Sequence, residues 1–327
     1  MSKEKVLITG GAGYLGSVTA GHLLSQGYEV TCLDNFSIGE DSKRSLLHLV
    51  HNPKFDFVFG DVRDRRTLEE LIPKFDTIIP LAAIVGFPQC KQNPVDAVLT
   101  NRDAVIITND IRTNGQKLIY PTTNSGYGTT SGEVFCTEET PLNPISVYGE
   151  TKVAAEKALL EGDKKVITLR LATLFGMSPR MRTDLLVNYF VFKAVTDGNL
   201  VVYEKNFMRN FAPVRDVARV FEHCIENYEQ MGKVAYGDEQ MQNRPYNVGL
   251  DSANLSKQQL CEEIQKQVLG FIVDYKEIDR DPDKRNYIVS NKRLNQTEFV
   301  FEQTLPQGIA ELIRGYKVMF GGTIFRQ

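Results

Sequence analysis

The sequence predicts an α/β chain built on a doubly wound parallel sheet with a smaller C-terminal lobe, and three observations carry that expectation. Short apolar, β-branched runs alternate with longer amphipathic stretches through the first half of the chain. A glycine-rich turn joins the first run to the first stretch. The length, 327 residues with 42% hydrophobic content, suits one large α/β domain with an appended lobe.

The runs Lys5–Thr9, Glu29–Leu33, Phe55–Phe59, Thr77–Leu81, Lys117–Tyr120 and Val166–Leu171 read as parallel strands covered on both faces. Between them, Tyr14–Gln26, Arg65–Ile72 and Ala97–Arg112 have helical spacing. After about residue 175 the rhythm loosens, with Ser256–Val268 and Thr304–Tyr316 as predicted helices. The expected division is therefore a dinucleotide-binding domain over 1–175 and a mainly substrate-binding lobe over 176–320 that returns in places to the main sheet. The tail 321–327 is expected to be loose.

Lys and Arg number 38 against 41 Asp and Glu, a net charge of −3, which argues against a nucleic-acid-binding face and a polybasic membrane anchor. No apolar run approaches the ~18 residues that span a bilayer. Met1–Lys5 leads into a short strand and not into a long apolar signal region. Cys32, Cys90, Cys136, Cys224 and Cys261 are scattered, with no C-x-x-C pair, and read as reduced thiols in a cytoplasm. His22, His48, His51 and His223 have no ligand-like spacing with acids or thiols, so no metal site is expected.

Thr9-Gly10-Gly11-Ala12-Gly13-Tyr14-Leu15-Gly16 ends the first strand and opens the first helix. It satisfies G-x-G-x-x-G from Gly11 and G-x-x-G-x-x-G from Gly10. Glycines let the backbone turn tightly and approach a pyrophosphate, and a helix N-terminus supplies N–H donors and positive dipole character. Asp34 ends the second strand, where a carboxylate accepts from both ribose hydroxyls of an adenosine and repels a 2′-phosphate. The next residues, Asn35-Phe36-Ser37, carry no positive charge, so NAD is favoured over NADP. Asp61 and Val62 follow the third strand, where the carboxylate could accept from an adenine amino group or cap a helix. Leu81, Ala82 and Ala83 end the fourth strand with side chains small enough for close cofactor contact.

Tyr148 and Lys152 stand four residues apart on one predicted helix face. Tyr189 and Lys193 repeat the spacing, but in an apolar stretch better explained by packing. Tyr148 follows a proline-containing loop, and Thr123, Asn124 and Ser125 place polar groups at the end of the fifth strand, on the sheet edge where ligands bind. Oxidising a secondary alcohol needs a base for its proton. A neighbouring ammonium lowers a phenol from about 10 toward the working range, so Tyr148 is the candidate base and Lys152 its activator. The Thr123 hydroxyl is placed to hold the reacting oxygen.

In this order and spacing, Thr9–Gly16, Asp34, Asp61, Thr123 and Tyr148…Lys152 resemble the extended short-chain dehydrogenase/reductase family, in its branch of nucleotide-sugar 4-epimerases, 4-dehydrogenases and 4,6-dehydratases. The resemblance implies a Rossmann domain binding NAD, with Tyr148 and Lys152 also touching the cofactor and Lys152 holding its ribose. It places a backbone-bending Asn at Asn101. It extends through Arg209–Ala218, Tyr246–Gly249 and Asp281–Tyr287, and implies that Arg209 and Arg285 hold the sugar-nucleotide diphosphate.

Two departures narrow the function. Pro80-Leu81-Ala82-Ala83 stands where the family often has His-Leu-Ala-Ala. Thr123-Asn124-Ser125 stands where the dehydratases have Thr-Asp-Glu, and an amide and an alcohol cannot serve as that acid/base pair, so no dehydratase activity is expected. The stretches Ile119–Gly128 and Arg170–Arg182 are most similar to GDP-heptose 4-dehydrogenases of bacterial capsule pathways. Arg180 and Arg182 add charge suited to a diphosphate or nucleotide. The expected activity is NAD-dependent oxidation at C4 of a GDP-linked heptose or hexose for surface-polysaccharide biosynthesis. A 4-epimerase and a non-catalytic NAD(H)-binding regulator are the alternatives. A homodimer paired through the helices around Ala97–Arg112 and Tyr148–Leu160 is expected, from the family's habit and from the apolar Val105, Ile107, Val153, Ala154 and Leu159.

Overall fold

The computed structural model describes residues 3–130, 135–231, 244–277 and 285–321. Seven parallel strands form the main sheet: Lys5–Thr9, Glu29–Asp34, Phe55–Phe59, Thr77–Pro80, Lys117–Thr123, Ile167–Leu171 and Arg244–Val248. Their spatial order is seventh, sixth, fifth, fourth, first, second, third. The chain therefore winds outward from the first strand to the third, then crosses back to build the other half. That reversal opens a crevice at the carboxyl ends of the first and fourth strands, where ligands of such sheets bind.

Alternation along the first strand explains the layering. Val6 and Ile8 join the core beneath the helices Tyr14–Ser25 and Val214–Glu226, with Leu23, Val30 and Phe221. Leu7 points the other way, into a core with Leu33, Leu68, Ile78, Leu118 and Leu159. A strand buried on both faces reads as a continuous apolar run, which is how these strands appear in the sequence. Pro80 donates nothing to its ladder, but Leu81 resumes the pairing by donating to the Thr9 carbonyl at 2.9 Å.

The second lobe is built around a three-stranded sheet of Thr173–Phe175, Met208–Pro213 and Asn254–Ser256. Its core gathers Phe175, Val191, Phe211, Leu260 and Leu312 between the helices Leu186–Thr196, Lys257–Gln265 and Leu305–Phe320. Arg244–Val248 is the return to the main sheet, pairing in parallel with Ile167–Leu171. The tail beyond Gly321 and Asp281–Lys284 lie outside the described residues.

One predicted helix differs. The stretch read as Ala97–Arg112 begins earlier and runs as Pro94–Val98, a π-helical turn over Leu99–Asp103, then Ala104–Ile111. The wider turn places Asn101, which is fully buried, against the loop after the fourth strand. No helix among the described residues is long and apolar enough to cross a membrane.

Candidate active site

The glycine turn is set by sterics. Gly10 has φ +71°, and a Cβ there would lie 2.5 Å from the Ala82 backbone nitrogen. A Cβ on Gly16 would overlap the Gly10 carbonyl oxygen, so that glycine lets the first helix seat on the strand. Gly13 is different: its Cβ would meet only the Gly10 oxygen, at 3.1 Å. Gly13 leaves the N-terminus of the first helix open to an approaching group, and this is the feature of the turn that fits a pyrophosphate.

Asp34 organises the same turn. Its carboxylate accepts from the Ala12 amide at 3.0 Å and the Phe36 amide at 2.8 Å. Burial pushes its pKa up, while those amides and the nearby Arg180 oppose the rise. Two oxygens with further lone pairs still allow it to accept from ribose hydroxyls. Asn35 donates to Asp61 at 2.9 Å, and Arg63 clasps Asp61 at 2.7 Å while reaching Asp96 at 2.8 Å. The Asp61 carboxyl is accordingly held near 2, chiefly by Arg63. Asp61 does not cap the following helix; Asp64 does, accepting from the Arg66 amide.

The Tyr14 side chain faces away from the glycine turn whose helix it opens. Its hydroxyl donates to the Gly176 carbonyl at 2.7 Å and accepts from Asn188 at 3.2 Å, so the side chain is buried against the second lobe. Ser178 Oγ donates to the Tyr14 carbonyl at 2.7 Å and lies 3.2 Å from Ser17 Oγ. These bonds fasten the loop carrying Arg180 and Arg182 to the first helix. Leu15 packs on the core under the sheet.

The helix Val147–Leu160 starts at Ser146, whose hydroxyl accepts from the Gly149 amide. It presents Tyr148 and Lys152 on the face toward the fifth strand. The Lys152 ammonium sits 4.2 Å from the centre of the Tyr120 ring. Tyr120 in turn donates to the Asn101 carbonyl at 3.3 Å. Asn101 accepts from the Ile84 amide at 2.8 Å and donates to the Ile84 carbonyl and to Thr151. Asn101 thus ties the loop Leu81–Gly86 to the helix of Tyr148 and Lys152.

Thr123 and Tyr148 share a hydrogen bond, and Tyr148 and Lys152 both act on Tyr120. Burial pushes the Tyr148 phenol up to about 12, while Arg182, Arg285 and a hydrogen bond with Thr123 pull it down. Burial also lowers the Lys152 amine to about 7, against the opposing pull of Glu156. Among the described residues, Arg182 and Arg285 favour phenolate, brought from 34 and 137 positions beyond Tyr148.

The other predicted contacts gather around the same point. Thr123 Oγ1 donates to Ser125 Oγ at 3.0 Å, and Ser125 accepts from Arg285. Asn124 is buried, with neither its Oδ1 nor its Nδ2 partnered. Arg209 donates to the carbonyls of Met208, at 2.9 Å, and Arg285, and its guanidinium lies over the Tyr287 ring. Arg182 is paired with Asp184. Arg180 has a buried Nε with no hydrogen-bond partner. Tyr189 and Lys193 stand apart on the helix Leu186–Thr196, where Lys193 pairs with Asp197 at 2.6 Å.

Sequence reasoning missed the buried ions behind Lys152. Glu156 receives two bonds of 3.1 Å from Arg170 Nε and one of 2.9 Å from Thr168. The signal available was a carboxylate four residues after Lys152, on the helix face that also buries Ala155 and Leu159. All five cysteines are buried free thiols, and among the described residues no group of three or more His, Cys, Asp or Glu could hold a metal.

A family model described as the NAD dependent epimerase/dehydratase family matches residues 6–249. UDP-arabinose 4-epimerase 1 of Arabidopsis thaliana is 33% identical over 188 residues, 54% of this chain and 44% of that protein. UDP-glucuronic acid decarboxylase 1 of the same plant is 26% identical over 326 residues, 96% of this chain and 70% of that protein. The chain thus spans less than half the length of the first of these relatives. In fold it is similar to the UDP-N-acetylglucosamine 4-epimerase from Methanobrevibacter ruminantium M1, with a TM-score of 0.81, 21% identity and coverage of 98% and 100%. It is likewise similar to the Thermus thermophilus UDP-glucose 4-epimerase in complex with NAD, with a TM-score of 0.76, 21% identity and the same coverage. The open Gly13 edge and the Asp34 carboxylate fit the cofactor named in the family's description, and the chain belongs to the NAD-dependent epimerase/dehydratase family.

Proposed function

We propose that this chain oxidises the C4 alcohol of a nucleotide-diphosphate sugar. NAD, when bound, supplies the hydride acceptor. Tyr148 takes the proton of the C4 hydroxyl, Thr123 orients that hydroxyl, and Lys152 holds the cofactor's ribose. Gly10, Gly13, Leu15, Gly16, Asp34, Asn35, Asp61, Val62, Leu81, Ala82, Ala83 and Asn101 build the cofactor's side of the crevice. Asn124, Ser125, Arg180, Arg182, Arg209 and Arg285 build the sugar nucleotide's side. The observation that carries the reading is the convergence of the Thr123 hydroxyl and the charges of Arg182 and Arg285 on the Tyr148 phenol.

After oxidation the keto sugar has two outcomes. Regaining hydrogen on the opposite face makes the chain a 4-epimerase, a reading supported by the names of its UDP-arabinose and UDP-glucose 4-epimerase relatives. Releasing the ketone makes it a net dehydrogenase, a reading supported by the similarity of Ile119–Gly128 and Arg170–Arg182 to GDP-heptose enzymes of surface-polysaccharide synthesis. Elimination of water lacks its acid/base pair, since Asn124 and Ser125 follow Thr123.

Incubating the purified chain with NAD and, separately, UDP-glucose, UDP-arabinose, GDP-mannose and a GDP-heptose tests the proposal. A product inverted at C4 supports the epimerase. A 4-ketone with stoichiometric reduced cofactor supports the dehydrogenase. Tight NAD binding with no change in any sugar overturns the proposal in favour of a regulator.

The same reading places the chain in the cytoplasm, supported by five free thiols. It pairs two copies through the helix Val147–Leu160 and the stretch Pro94–Ile111; Val105 and Leu159, expected on that face, are buried in the chain's own core, and the support comes from the exposed Val95 and Leu99. Sedimentation as a monomer at micromolar concentration would contradict that pairing.

A further inference from the structure

Behind the candidate base lies a chain of buried polar contacts that binding does not require. Lys152 and Glu156 are one helical turn apart, both nearly inaccessible to solvent. The Glu156 carboxylate is fixed from the sixth strand, where Thr168 and Arg170 share a face and both bond to it. Arg170 is itself immobilised: its Nη1 donates to Tyr127 Oη at 3.1 Å and to the Glu138 carbonyl at 3.0 Å. Tyr127 donates to Asn247 Oδ1 at 2.7 Å, and the Asn247 amide donates to the Glu138 carboxylate at 2.8 Å. The strand Arg244–Val248 thus helps to set the orientation of a carboxylate one turn from Lys152.

A buried ion pair contributes little net stability, and an apolar pair of the same volume would often serve the fold as well. What the pair does here is place a negative charge beside an ammonium that has lost its water. Among the described residues, the Lys152 ammonium also lies over the Tyr120 ring of the fifth strand, and Tyr148 precedes it by one turn on the same helix. Arg182, Arg285 and Cys90 act on Tyr148. Glu156 is the carboxylate that acts on Lys152, and burial opposes it. Burial raises the Glu156 carboxyl above its usual range, and Arg170, Thr168 and Lys152 oppose that rise.

We propose that Glu156, oriented by Arg170 and Tyr127, is a positioning residue that keeps Lys152 protonated while the amine holds the cofactor's ribose and sits beside Tyr148. The purpose assigned to it rests on the C4-oxidation reading; the effect on the amine does not. Neutralising Glu156 removes the favourable charge and leaves the Arg170 cation unpaired nearby, and both changes favour neutral Lys152. At an effective dielectric near 20 and one-turn separation, the proton affinity of Lys152 falls by about tenfold or more.

The test is a pH titration of the NAD-bound protein carrying 13C at lysine Cε, read by NMR, with the Lys152 resonance identified by its loss in Lys152→Arg. The expected result is a Lys152 midpoint lower by about one pH unit or more in Glu156→Gln, with most of the difference restored in Glu156→Asp. An unchanged midpoint in Glu156→Gln overturns the proposal. If that variant does not fold, Glu156→Gln combined with Arg170→Met removes the unpaired Arg170 charge as well; a lowered midpoint there supports the proposal and an unchanged one overturns it. No sugar is needed, so failure here is separable from failure of the C4 reading. Sugar turnover with an unmoved midpoint overturns this inference alone.

Discussion

Arg285 and Ser125 stand 160 positions apart in the chain and share a hydrogen bond, guanidinium to hydroxyl. Ser125 also accepts from Thr123, and Arg285 acts electrostatically on Tyr148, so one arginine from the second lobe reaches the centre of the candidate active site. Arg285→Ala is expected to raise KM for the nucleotide sugar roughly 10- to 100-fold, the worth of one charged hydrogen bond, with NAD affinity unchanged. Arg285→Lys restores little, because an ammonium does not reproduce the planar fork. Steady-state kinetics beside direct NAD titration separate the two effects.

The glycines make a paired prediction. Gly13→Ala meets only the Gly10 oxygen at 3.1 Å, so the variant folds near normally but loses NAD affinity by about tenfold or more as its methyl enters the phosphate approach. Gly16→Ala overlaps the Gly10 carbonyl and costs about 1–3 kcal/mol of stability. Thermal melts with and without NAD distinguish them. A Gly13→Ala protein that binds NAD normally would remove the pyrophosphate from this turn.

Asn124 is buried with both polar atoms of its carboxamide unpartnered, an arrangement that costs about 1–3 kcal/mol for each unsatisfied group. If the nucleotide sugar satisfies them, Asn124→Leu stabilises the ligand-free chain by about 1 kcal/mol or more and raises KM. Denaturant unfolding and kinetics on the same preparations read both. Loss of stability with KM unchanged would mean the carboxamide serves the fold and not the ligand.

Lys152 makes stability depend on pH. Its amine titrates near 7 in the folded chain against 10.5 for an unperturbed lysine, so between these values the unfolded chain binds more protons. Stability from this group therefore rises as pH increases from about 7, by up to about 1.4 kcal/mol per pH unit. The comparison is best made from pH 7 to 9, below the range in which the buried tyrosines titrate on unfolding. The slope for wild type minus that for Lys152→Met isolates the lysine, and a zero difference would contradict the lowered proton affinity of the buried amine.

Much of this was legible in the sequence where local pattern decides structure. The strand boundaries at Lys5–Thr9 and Phe55–Phe59 coincide with apolar runs, and the glycine turn, Thr123, Tyr148 and Lys152 fall where spacing predicts. What was hidden depends on distant partners. The π-turn at Leu99–Asp103 has no periodic signature, so Asn101 could be placed by resemblance but not its bonds to Ile84 and Thr151. Tyr14 opens the first helix as predicted, yet its side chain turns to Gly176, 162 positions later. Arg170 reads as one charged residue in a largely apolar strand; only the folded sheet sets it against Glu156 and Tyr127. The arginines acting on Tyr148 come from beyond residue 175, and no local pattern in the sequence sets them beside the phenol.

The most direct measurement is C4 turnover of a nucleotide sugar by wild type and Tyr148→Phe, each loaded with NAD and tested on the same panel of UDP- and GDP-linked sugars. The account predicts that wild type converts at least one member at C4. Tyr148→Phe, which lacks the proton acceptor, is expected to be about 100-fold or more slower with its NAD and sugar affinities preserved. Conversion at C4 by Tyr148→Phe at the wild-type rate would contradict it.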